Sequence, residues 1–321
     1  MDARGVILKN ISLVICAGML VLNAAALSLA NIIYVDKNNA SGVEDGSIEN
    51  PFNTIGEAIT FSASGDIVKV AAGLYLENVS INSKAIKLQG EDPAVTTIQG
   101  TSNVIIVDGT YSEDNVEISG FTITQGSNSG IRLNSSTLQV LIRNNIVLGN
   151  GIGILCSLTK GTNILNNTIT QNTGYGINIV STDNNSIVGN IITSNNDCGI
   201  YEQYGTALVT YNNLWSNMNG DTCYYNPSGF TKIENISTNP QFLESTFFLS
   251  VGSLSIDRGS PLSAYKDPDG TRNDQGVYGG PGAANYWPSP AGGPVVTVMS
   301  VSPPSVSVGG TITLKATGKI R

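Results

Sequence analysis

Residues 130–200 read GIRLNSSTLQVLIRNNIVLGNGIGILCSLTKGTNILNNTITQNTGYGINIVSTDNNSIVGNIITSNNDCGI, and the fold can be predicted from this segment. Four Gly-Ile pairs begin at Gly130, Gly153, Gly176 and Gly199, a spacing of 23 residues that recurs three times without change. A fixed period near 23, with Asn-rich turns between short β-branched runs, is typical of a solenoid whose coils stack on one another. The period indicates the architecture much more clearly than the function.

Aliphatic residues fall into three columns when the coils are aligned. The columns are Ile118, Ile142, Ile164 and Ile187; Ile131, Ile154, Ile177 and Ile200; and Ile123, Val147, Ile169, Ile192 and Trp215. Successive side chains of a strand point to opposite faces, so three apolar columns predict three strands per coil. A polar column is predicted at Asn145, Asn167, Asn190 and Asn213. We interpret it as structural, because asparagine tolerates a left-handed backbone and can bond to its stacked copies.

The first 30 residues have the pattern of an export signal. Arg4 and Lys9 precede an apolar stretch at residues 11–30 that ends with small residues. This pattern predicts a signal peptide cleaved after Ala30. The alternative is an uncleaved anchor, because about 20 apolar residues can span a bilayer. Either interpretation predicts a secreted or cell-surface protein.

The composition limits the partners. The net charge is −8, only 12% of residues are charged and there is no histidine. Because phosphate binding requires a Lys/Arg surface, we expect no nucleic-acid partner. The neutral polar composition favours a polysaccharide partner. We expect a monomer that contacts membrane only through an uncleaved N-terminal segment or a C-terminal anchor beyond residue 321.

The chain divides into five predicted parts. They are a signal peptide (1–30), an N-terminal cap with the first coils (31–103), the solenoid with its exit segment (104–281), a Gly/Pro linker (282–294) and a truncated immunoglobulin-like module (295–321). Thr54 and Glu57 form a helix capping box and predict a short helix in the cap. Alternating apolar and polar residues after residue 295 predict the β strands of the last part.

Several motifs carry a resemblance to a known group of proteins. They are Tyr34-Val35-Asp36, Asn50-Pro51-Phe52, Gly65-Asp66-Ile67-Val68, Gly73-Leu74-Tyr75, Asn239-Pro240-Gln241-Phe242 and Asp267-Pro268-Asp269-Gly270. The region from about Asn31 to Pro281 resembles secreted right-handed parallel β-helix proteins of the pectate-lyase-like superfamily. The resemblance implies an all-β, single-stranded, right-handed parallel β-helix with a short N-terminal capping helix. A copper-handling β-helix protein of the periplasm shares the repeat type and is a further resemblance.

The resemblance also implies a substrate groove along one outward sheet face. The Gly-Ile strands match the catalytic sheet of that superfamily. The residues that follow their isoleucines include Arg132, Asn178 and Tyr201, which are therefore ligand-binding candidates. An aromatic ring can stack on a sugar, and a cation can bind a carboxylate. The alternative is an ordinary solvated face.

Candidate catalytic residues are sparse. Lys160 and Asp183 each lie seven residues after a repeat glycine, so neighbouring coils bring them together. In a lyase, Lys160 would take the proton beside a uronate carboxylate, with Asp183 and Asp197 near a Ca²⁺ ion. The alternative is a surface ion pair worth less than about 1 kcal/mol. Ca²⁺ is the one cofactor considered, since a chain without histidine has only Cys and Met for a soft metal. Asp267 and its acidic neighbours could also bind Ca²⁺, although we interpret them as a turn.

The cysteines and one glutamate complete the candidates. Stacked Cys198 and Cys223 are predicted to form a disulfide between adjacent coils. Cys156 aligns with core residues and is predicted to be a buried thiol. Glu202 falls in the same inward column, and we expect a slip of the last coil to turn it outward.

Three functional hypotheses remain. The leading one is an exported β-helix that binds polysaccharide. The second is a polysaccharide lyase acting on uronate-containing glycans by β-elimination. The third is a non-catalytic spacer or adhesin.

Overall fold

The computed structural model describes residues 30–109, 116–134, 139–225, 229–243 and 246–286, together with two strands at 295–302 and 313–319. The chain winds as a parallel β-helix, and each coil adds one strand to each of three sheets, A, B and C, in that order. Within the described residues, no helix is long and apolar enough to cross a bilayer. The predicted signal peptide lies outside the described residues, apart from Ala30.

Sheet A has nine strands: β1 (Ile32–Val35), β2 (Ile67–Val70), β5 (Lys87–Gly90), β8 (Val116–Ser119), β11 (Val140–Arg143), β14 (Asn163–Leu165), β17 (Asn185–Val188), β20 (Ala207–Thr210) and β23 (Phe230–Ile233). Sheet B has seven: β3 (Gly73–Leu76), β6 (Thr96–Gln99), β9 (Thr122–Thr124), β12 (Ile146–Leu148), β15 (Thr168–Thr170), β18 (Ile191–Thr193) and β21 (Asn213–Trp215). Sheet C has seven: β4 (Val79–Asn82), β7 (Asn103–Asp108), β10 (Ser129–Leu133), β13 (Ile152–Ser157), β16 (Ile177–Val180), β19 (Ile200–Gln203) and β22 (Thr222–Tyr224).

The strand register confirms the stacked aliphatic core. The columns that begin at Ile118 and Ile131 have the predicted partners throughout and are fully buried. The third column ends differently, because Leu214 rather than Trp215 lies opposite Ile192. The prediction was wrong by one residue because the coil after Ile200 is shortened: Ile187 pairs with Val209, only 22 positions later.

Buried asparagines form a ladder along each of two corners. The A–B corner, between sheets A and B, carries Asn145, Asn167, Asn190 and Asn212, in which each Nδ2 donates to the next Oδ1 at 3.0–3.1 Å. The prediction of Asn213 for this ladder was wrong, because the same shortened coil shifts Asn213 into β21 and leaves Asn212 at the corner. The B–C corner carries a second ladder that we did not predict: Asn150, Asn172, Asn195 and Asn217. These ladders satisfy backbone groups that would otherwise be buried without partners.

The repeat glycines lie where the B–C corner enters sheet C. A Cβ added to Gly176 would lie 2.6 Å from the carbonyl oxygen of Gly199 in the next coil and 2.7 Å from Cγ2 of Ile192. Real Cβ atoms do not approach backbone oxygens this closely. Glycine therefore recurs every 23 residues because the coils approach each other closely at this corner. The isoleucine that follows each glycine is buried in the core.

The predicted capping helix is confirmed as α1 (Ile55–Phe61). The Glu57 N–H donates to Thr54 Oγ1 at 3.2 Å, and the Thr54 hydroxyl donates to Glu57 Oε2 at 2.7 Å. The Glu77 carboxylate accepts the N–H groups of Ile55 and Gly56, the first two helical residues, at 2.9 Å each. The apolar face of α1 is buried and covers the first coil.

The exit segment, residues 246–286, runs back along the A–B corner toward the cap. Gln275 Nε2 donates to the Tyr211 carbonyl at 2.7 Å, Asn166 Nδ2 donates to Asp274 O at 2.8 Å, and Asn144 Nδ2 donates to Gly279 O at 2.8 Å. The Gly276 N–H also donates to Gly189 O at 2.7 Å, so the contacts of this segment reach four successive coils. The segment therefore fastens neighbouring coils together from outside.

Beyond the exit segment, β24 (Val295–Ser302) and β25 (Thr313–Lys319) pair as an antiparallel hairpin. The immunoglobulin-like module remains a prediction, because two strands do not make a sandwich. Residues 287–294 of the predicted linker lie outside the described residues.

The exit segment carries a buried carboxylate that makes stability depend on pH. Asp267 accepts the Asp274 N–H at 2.8 Å and the Gly280 N–H at 2.5 Å, and its carbonyl closes a turn with Gly270. Burial raises the pKa of Asp267 to about 8 from 3.8, and burial likewise raises that of Asp274 to about 6. The folded protein therefore keeps protons that the unfolded chain releases near pH 4. By linkage, the stability contributed by these two carboxyl groups is greatest below about pH 4 and is lost as the pH rises to about 8.

We expect Asp267→Asn to flatten this dependence. Between pH 5 and pH 8 the denaturation midpoint of the wild type should fall, and that of the variant should fall less. The matched control is Asp269→Asn in the same turn. The Asp269 side chain is exposed, and an asparagine oxygen can still accept the two hydrogen bonds that Thr271 donates to it. The same change of midpoint with pH in the wild type and in Asp267→Asn would show that Asp267 does not contribute this pH dependence.

Candidate functional site

Sheet C presents one outward row of side chains along the helix axis. The row is Ser80, Ile106, Arg132, Leu155, Asn178, Tyr201 and Cys223. The structure therefore brings the three predicted ligand-binding residues into one line. With strands about 4.8 Å apart, the row spans about 14 Å from Arg132 to Tyr201. A linear ligand lying along the axis would contact them in turn.

Tyr201 is half of an aromatic platform. Its ring stacks on that of Tyr175, with the centroids 4.7 Å apart and the planes 12° from parallel. Tyr175 lies in the B–C corner one residue before Gly176, so the neighbouring coil places it beside Tyr201. Burial, together with the nearby Asp197 carboxylate, raises the pKa of Tyr175. The two stacked rings form a neutral aromatic surface of the kind that packs against sugar rings.

Two more tyrosines extend this aromatic surface. The rings of Tyr204 and Tyr225 lie 4.6 Å apart, tilted by 53°, and both side chains are exposed. Tyr204 directly follows β19, and Tyr225 directly follows the neighbouring strand β22. Both tyrosines therefore lie at the C-terminal ends of these strands, whereas Tyr201 lies near the start of β19. The repeat does not predict Tyr175, Tyr204 or Tyr225, because none of them follows a repeat isoleucine.

Asn178 is a polar group with unused hydrogen-bonding capacity. Only 9% of this residue is exposed, and its Oδ1 accepts no hydrogen bond. It lies between Leu155 and Tyr201 in the outward row. A buried acceptor without a partner costs about 1–3 kcal/mol, so this oxygen favours a donor that reaches it.

The predicted catalytic residues form a pair and a separate third member. Lys160 and Asp183 are bridge partners in adjacent coils at the corner between sheets C and A. No ion pair joins these two described side chains, and Asp183 Oδ1 instead accepts the Thr206 hydroxyl at 3.2 Å. Asp197 lies before β19, at the other end of the sheet C strands. The lysine and the two aspartates therefore do not converge on one reacting centre.

Asp197 belongs to the last coils near the disulfide. Its Oδ1 accepts the Cys198 N–H and Asn219 Nδ2, both at 2.9 Å. Cys198 and Cys223 form a disulfide with their Cα atoms 6.0 Å apart, and Cys223 lies opposite Tyr201 in the row. The disulfide joins the coil that contains Tyr201 to the next coil, which contains β22.

Glu202 is buried, and the expectation that it turns outward was wrong. It lies opposite Ile179 in the inward column and is fully enclosed. The Gly205 N–H donates to its Oε1. The shortened loop after β19 supplies this donor, and a slipped coil is not required. Cys156 is buried in the same column, as predicted.

A groove on sheet A was not predicted. Its floor consists of Tyr34, Lys69, Gln89, Ser119 and Arg143, which are register partners on five successive strands. Its volume is about 670 Å³, within the usual range of ligand sites. Five strands at about 4.8 Å spacing make it about 19 Å long.

Remote segments close this groove. The cap contributes Asp36, Ile48 and Pro51, the turn after β5 contributes Glu91 and Asp92, and the exit segment contributes Gly282, Asn285 and Tyr286. Tyr286 is buried, which raises its pKa above the ordinary tyrosine value. The outward positions of Lys69 and Arg143 are visible in the sequence, because both residues alternate with core residues. The path of the returning exit segment has no signal in the sequence.

Three stacked parallel sheets with two asparagine corners define a parallel β-helix protein. Within that class, the chain belongs to the family described as periplasmic copper-binding protein (NosD), whose sequence profile matches residues 17–241. The matched region contains every strand of the three sheets.

The chain is also similar to three solved structures. Pectate lyase Pel9A is 13% identical over 78% of this chain and 96% of its own, with a TM-score of 0.43. A rhamnogalacturonan lyase is 12% identical over 65% and 67%, with a TM-score of 0.34. The pectin methylesterase from Aspergillus niger is 13% identical over 64% and 85%, with a TM-score of 0.31. No curated protein sequence matches the chain.

The residues present do not fit a copper site. The sequence has no histidine, and two of its cysteines form the disulfide. Burial raises the pKa of the Cys156 thiol to about 12, so it is not available as a thiolate ligand. Among the described residues, no three Cys, Asp or Glu side chains are grouped to hold a metal. Copper ions favour thiolate and imidazole ligands, and the described residues supply neither, so family membership does not carry copper binding to this chain.

Proposed function

We propose that this chain is an extracytoplasmic β-helix protein that binds polysaccharide along sheet C. The observation that supports this most directly is the stacked Tyr175–Tyr201 platform, in line with Asn178 and Arg132. The predicted signal peptide and the periplasmic description of the family support export. We propose that the mature protein is secreted or displayed at the cell surface.

Each member of the row has a distinct role in this proposal. The tyrosine rings pack against the apolar face of a sugar, a contact that does not depend on one particular sugar. Asn178 Oδ1 accepts a sugar hydroxyl or amide N–H, which satisfies an acceptor that has no partner in the free protein. Arg132, two strands from Asn178, donates to a hydroxyl or carboxylate. The ligand lies perpendicular to the strands, along the helix axis.

We expect Tyr201→Ala and Tyr175→Ala each to weaken glycan binding about tenfold, corresponding to about 1.4 kcal/mol of lost stacking. Binding would be measured by affinity electrophoresis and calorimetry on neutral and uronate-containing polysaccharides. Tyr265→Ala, in the exit segment, is the matched control because it removes a partly exposed tyrosine away from sheet C. Equal denaturation midpoints would establish that all variants fold.

The same polysaccharide panel tests the alternatives. Absorbance of an unsaturated product, lost in Lys160→Gln, would favour the lyase hypothesis with Lys160 as base. The separation of Asp197 from the Lys160–Asp183 pair argues against that hypothesis. Binding by no glycan would reject our proposal and favour a spacer or adhesin.

A further inference from the structure

The groove on sheet A has a charge pattern unlike that of sheet C. Three carboxylates, from Asp36, Glu91 and Asp92, line it alongside the cations Lys69 and Arg143. Asp36 uses Oδ1 to accept the Asn38 N–H at 2.9 Å, and Glu91 uses Oε2 to accept the Ala72 N–H at 3.0 Å. These single contacts fix the two carboxylates, and each has a second oxygen for a ligand.

The Arg143 charge is already balanced within the wall of the groove. Its Nη2 lies 2.7 Å and its Nε 3.0 Å from Glu117 Oε1. The same oxygen accepts the Ser119 hydroxyl at 3.1 Å and Gln89 Nε2 at 3.5 Å, which ties three floor residues into one network. Gly282 of the exit segment packs against Nη1 so closely that a Cβ would collide with it. Arg143 therefore supports the groove and contributes little net positive charge to it.

We propose that the sheet A groove binds a linear oligosaccharide carrying protonated amino groups. With Arg143 neutralised by Glu117, the Asp36 and Glu91 carboxylates outnumber the remaining lining cation, Lys69. A cleft with a net negative charge attracts a positively charged ligand. Gln89 and Ser119, which lie between Lys69 and Arg143 on the floor, supply neutral hydrogen-bonding groups for sugar hydroxyls. This site is separate from the sheet C row and does not depend on the function proposed there.

The groove suits an amino sugar better than the other cationic polymers. A peptide bound by strand addition needs a free strand edge, whereas β5 and β8 are paired on both sides. An amphipathic helix needs apolar anchors, whereas this floor is polar. A polyanion would meet the carboxylate wall. A length of about 19 Å suits a short linear oligomer.

The test uses a glucosamine tetramer and its N-acetylated counterpart, which differ in the charge of the amino group. By calorimetry at pH 6, the purified protein should bind the glucosamine tetramer and bind the acetylated one at least about tenfold more weakly. Glu91→Gln and Asp36→Asn keep the acceptor oxygens that hold their loops. Each should weaken binding about fivefold through loss of one charge. Glu49→Gln, an exposed cap residue outside the groove, should leave binding unchanged.

Lys69 provides a test of opposite sign. Replacing this exposed floor cation with glutamine should strengthen binding of the glucosamine tetramer, because it removes repulsion without removing a buried contact. Tyr201→Ala should leave tetramer binding unchanged, which separates this site from sheet C. Equal affinity for the two tetramers, or no saturable binding of the charged one, would overturn the proposal. Tighter binding of tetralysine than of the sugar would also overturn it, in favour of a peptide ligand.

Discussion

Asn167→Leu is expected to lower the free energy of unfolding by about 4 kcal/mol, a large part of the 5–15 kcal/mol that stabilises a typical domain. The Asn167 side chain is fully buried. Its Nδ2 donates to Ile142 O, Leu165 O and Asn190 Oδ1 at 2.9–3.1 Å, and its Oδ1 accepts Nδ2 and the backbone N–H of Asn145. Leucine has a similar volume but leaves the donors and acceptors of three coils without partners.

Asn167→Asp separates the effect of shape from that of hydrogen bonding. The carboxylate can still accept from Asn145, but it faces two carbonyl oxygens and has no proton to donate near neutral pH. We expect a similar loss at pH 7 and partial recovery at pH 4, where a protonated carboxyl can donate one bond. Denaturant midpoints measured at both pH values would show this difference.

The control for both variants is Asn163→Leu in the same coil. Asn163 points outward from β14, and its Nδ2 makes one long contact of 3.4 Å to Gly161 O. The expected change is within about 0.5 kcal/mol, as is usual for surface positions. If Asn163→Leu lowered the free energy of unfolding as much as Asn167→Leu, the asparagine ladder would contribute no more to stability than a surface position.

The fold was predictable because core packing repeats directly in the sequence. Each coil must place an aliphatic side chain over its predecessor, so the isoleucine columns disclose the strands and their register. The errors at Asn213 and Trp215 have one cause, the residue missing between Ile200 and Val209. An average period cannot show which turn is shortened, because turns on the surface tolerate such changes.

Glu202 shows a different limit of sequence analysis. Burying a carboxylate is costly, so the pattern favoured an outward position. In the structure, the shortened loop brings the Gly205 N–H to the carboxylate, and Gly229 of the next coil leaves room for it. A compensation that depends on the local path of a loop has no regular signature in the sequence.

The candidate sites differ in how far the sequence could reveal them. The repeat spacing places Arg132, Asn178 and Tyr201 at equivalent positions, and the resemblance to pectate-lyase-like β-helix proteins implied that their face carries a groove. Tyr175 was missed because it lies in a turn, and only the stacking of coils brings it beside Tyr201. The sheet A groove depends on cap and exit residues more than 200 positions apart, which follow no repeat.

Gly176→Ala is expected to lower the free energy of unfolding by about 3 kcal/mol, although it adds a single methyl group. The added Cβ would collide with Gly199 O, Ile192 Cγ2 and Asn195 Nδ2, which come within 2.6–2.9 Å. Gly199 O is a ladder acceptor for the Ile177 N–H at 2.9 Å, so it cannot move away without loss of that bond. Asn195 is held by its own ladder, so the side chain cannot swing aside.

Gly56→Ala is the matched control, because the nearest atom to its added Cβ is a flexible Glu77 oxygen at 3.4 Å. There we expect no loss, or a gain of up to about 1 kcal/mol, since alanine favours a helix over glycine. Both variants would be compared by denaturation, with hydrogen exchange locating the damage at β16 and β19. These strands carry Asn178 and Tyr201, so a loss of protection there would mean that the outward row of sheet C is also displaced. The glycine packing that sets the 23-residue period would then also keep that row aligned. A Gly176→Ala protein as stable as the wild type would mean that coils can separate at this corner without cost.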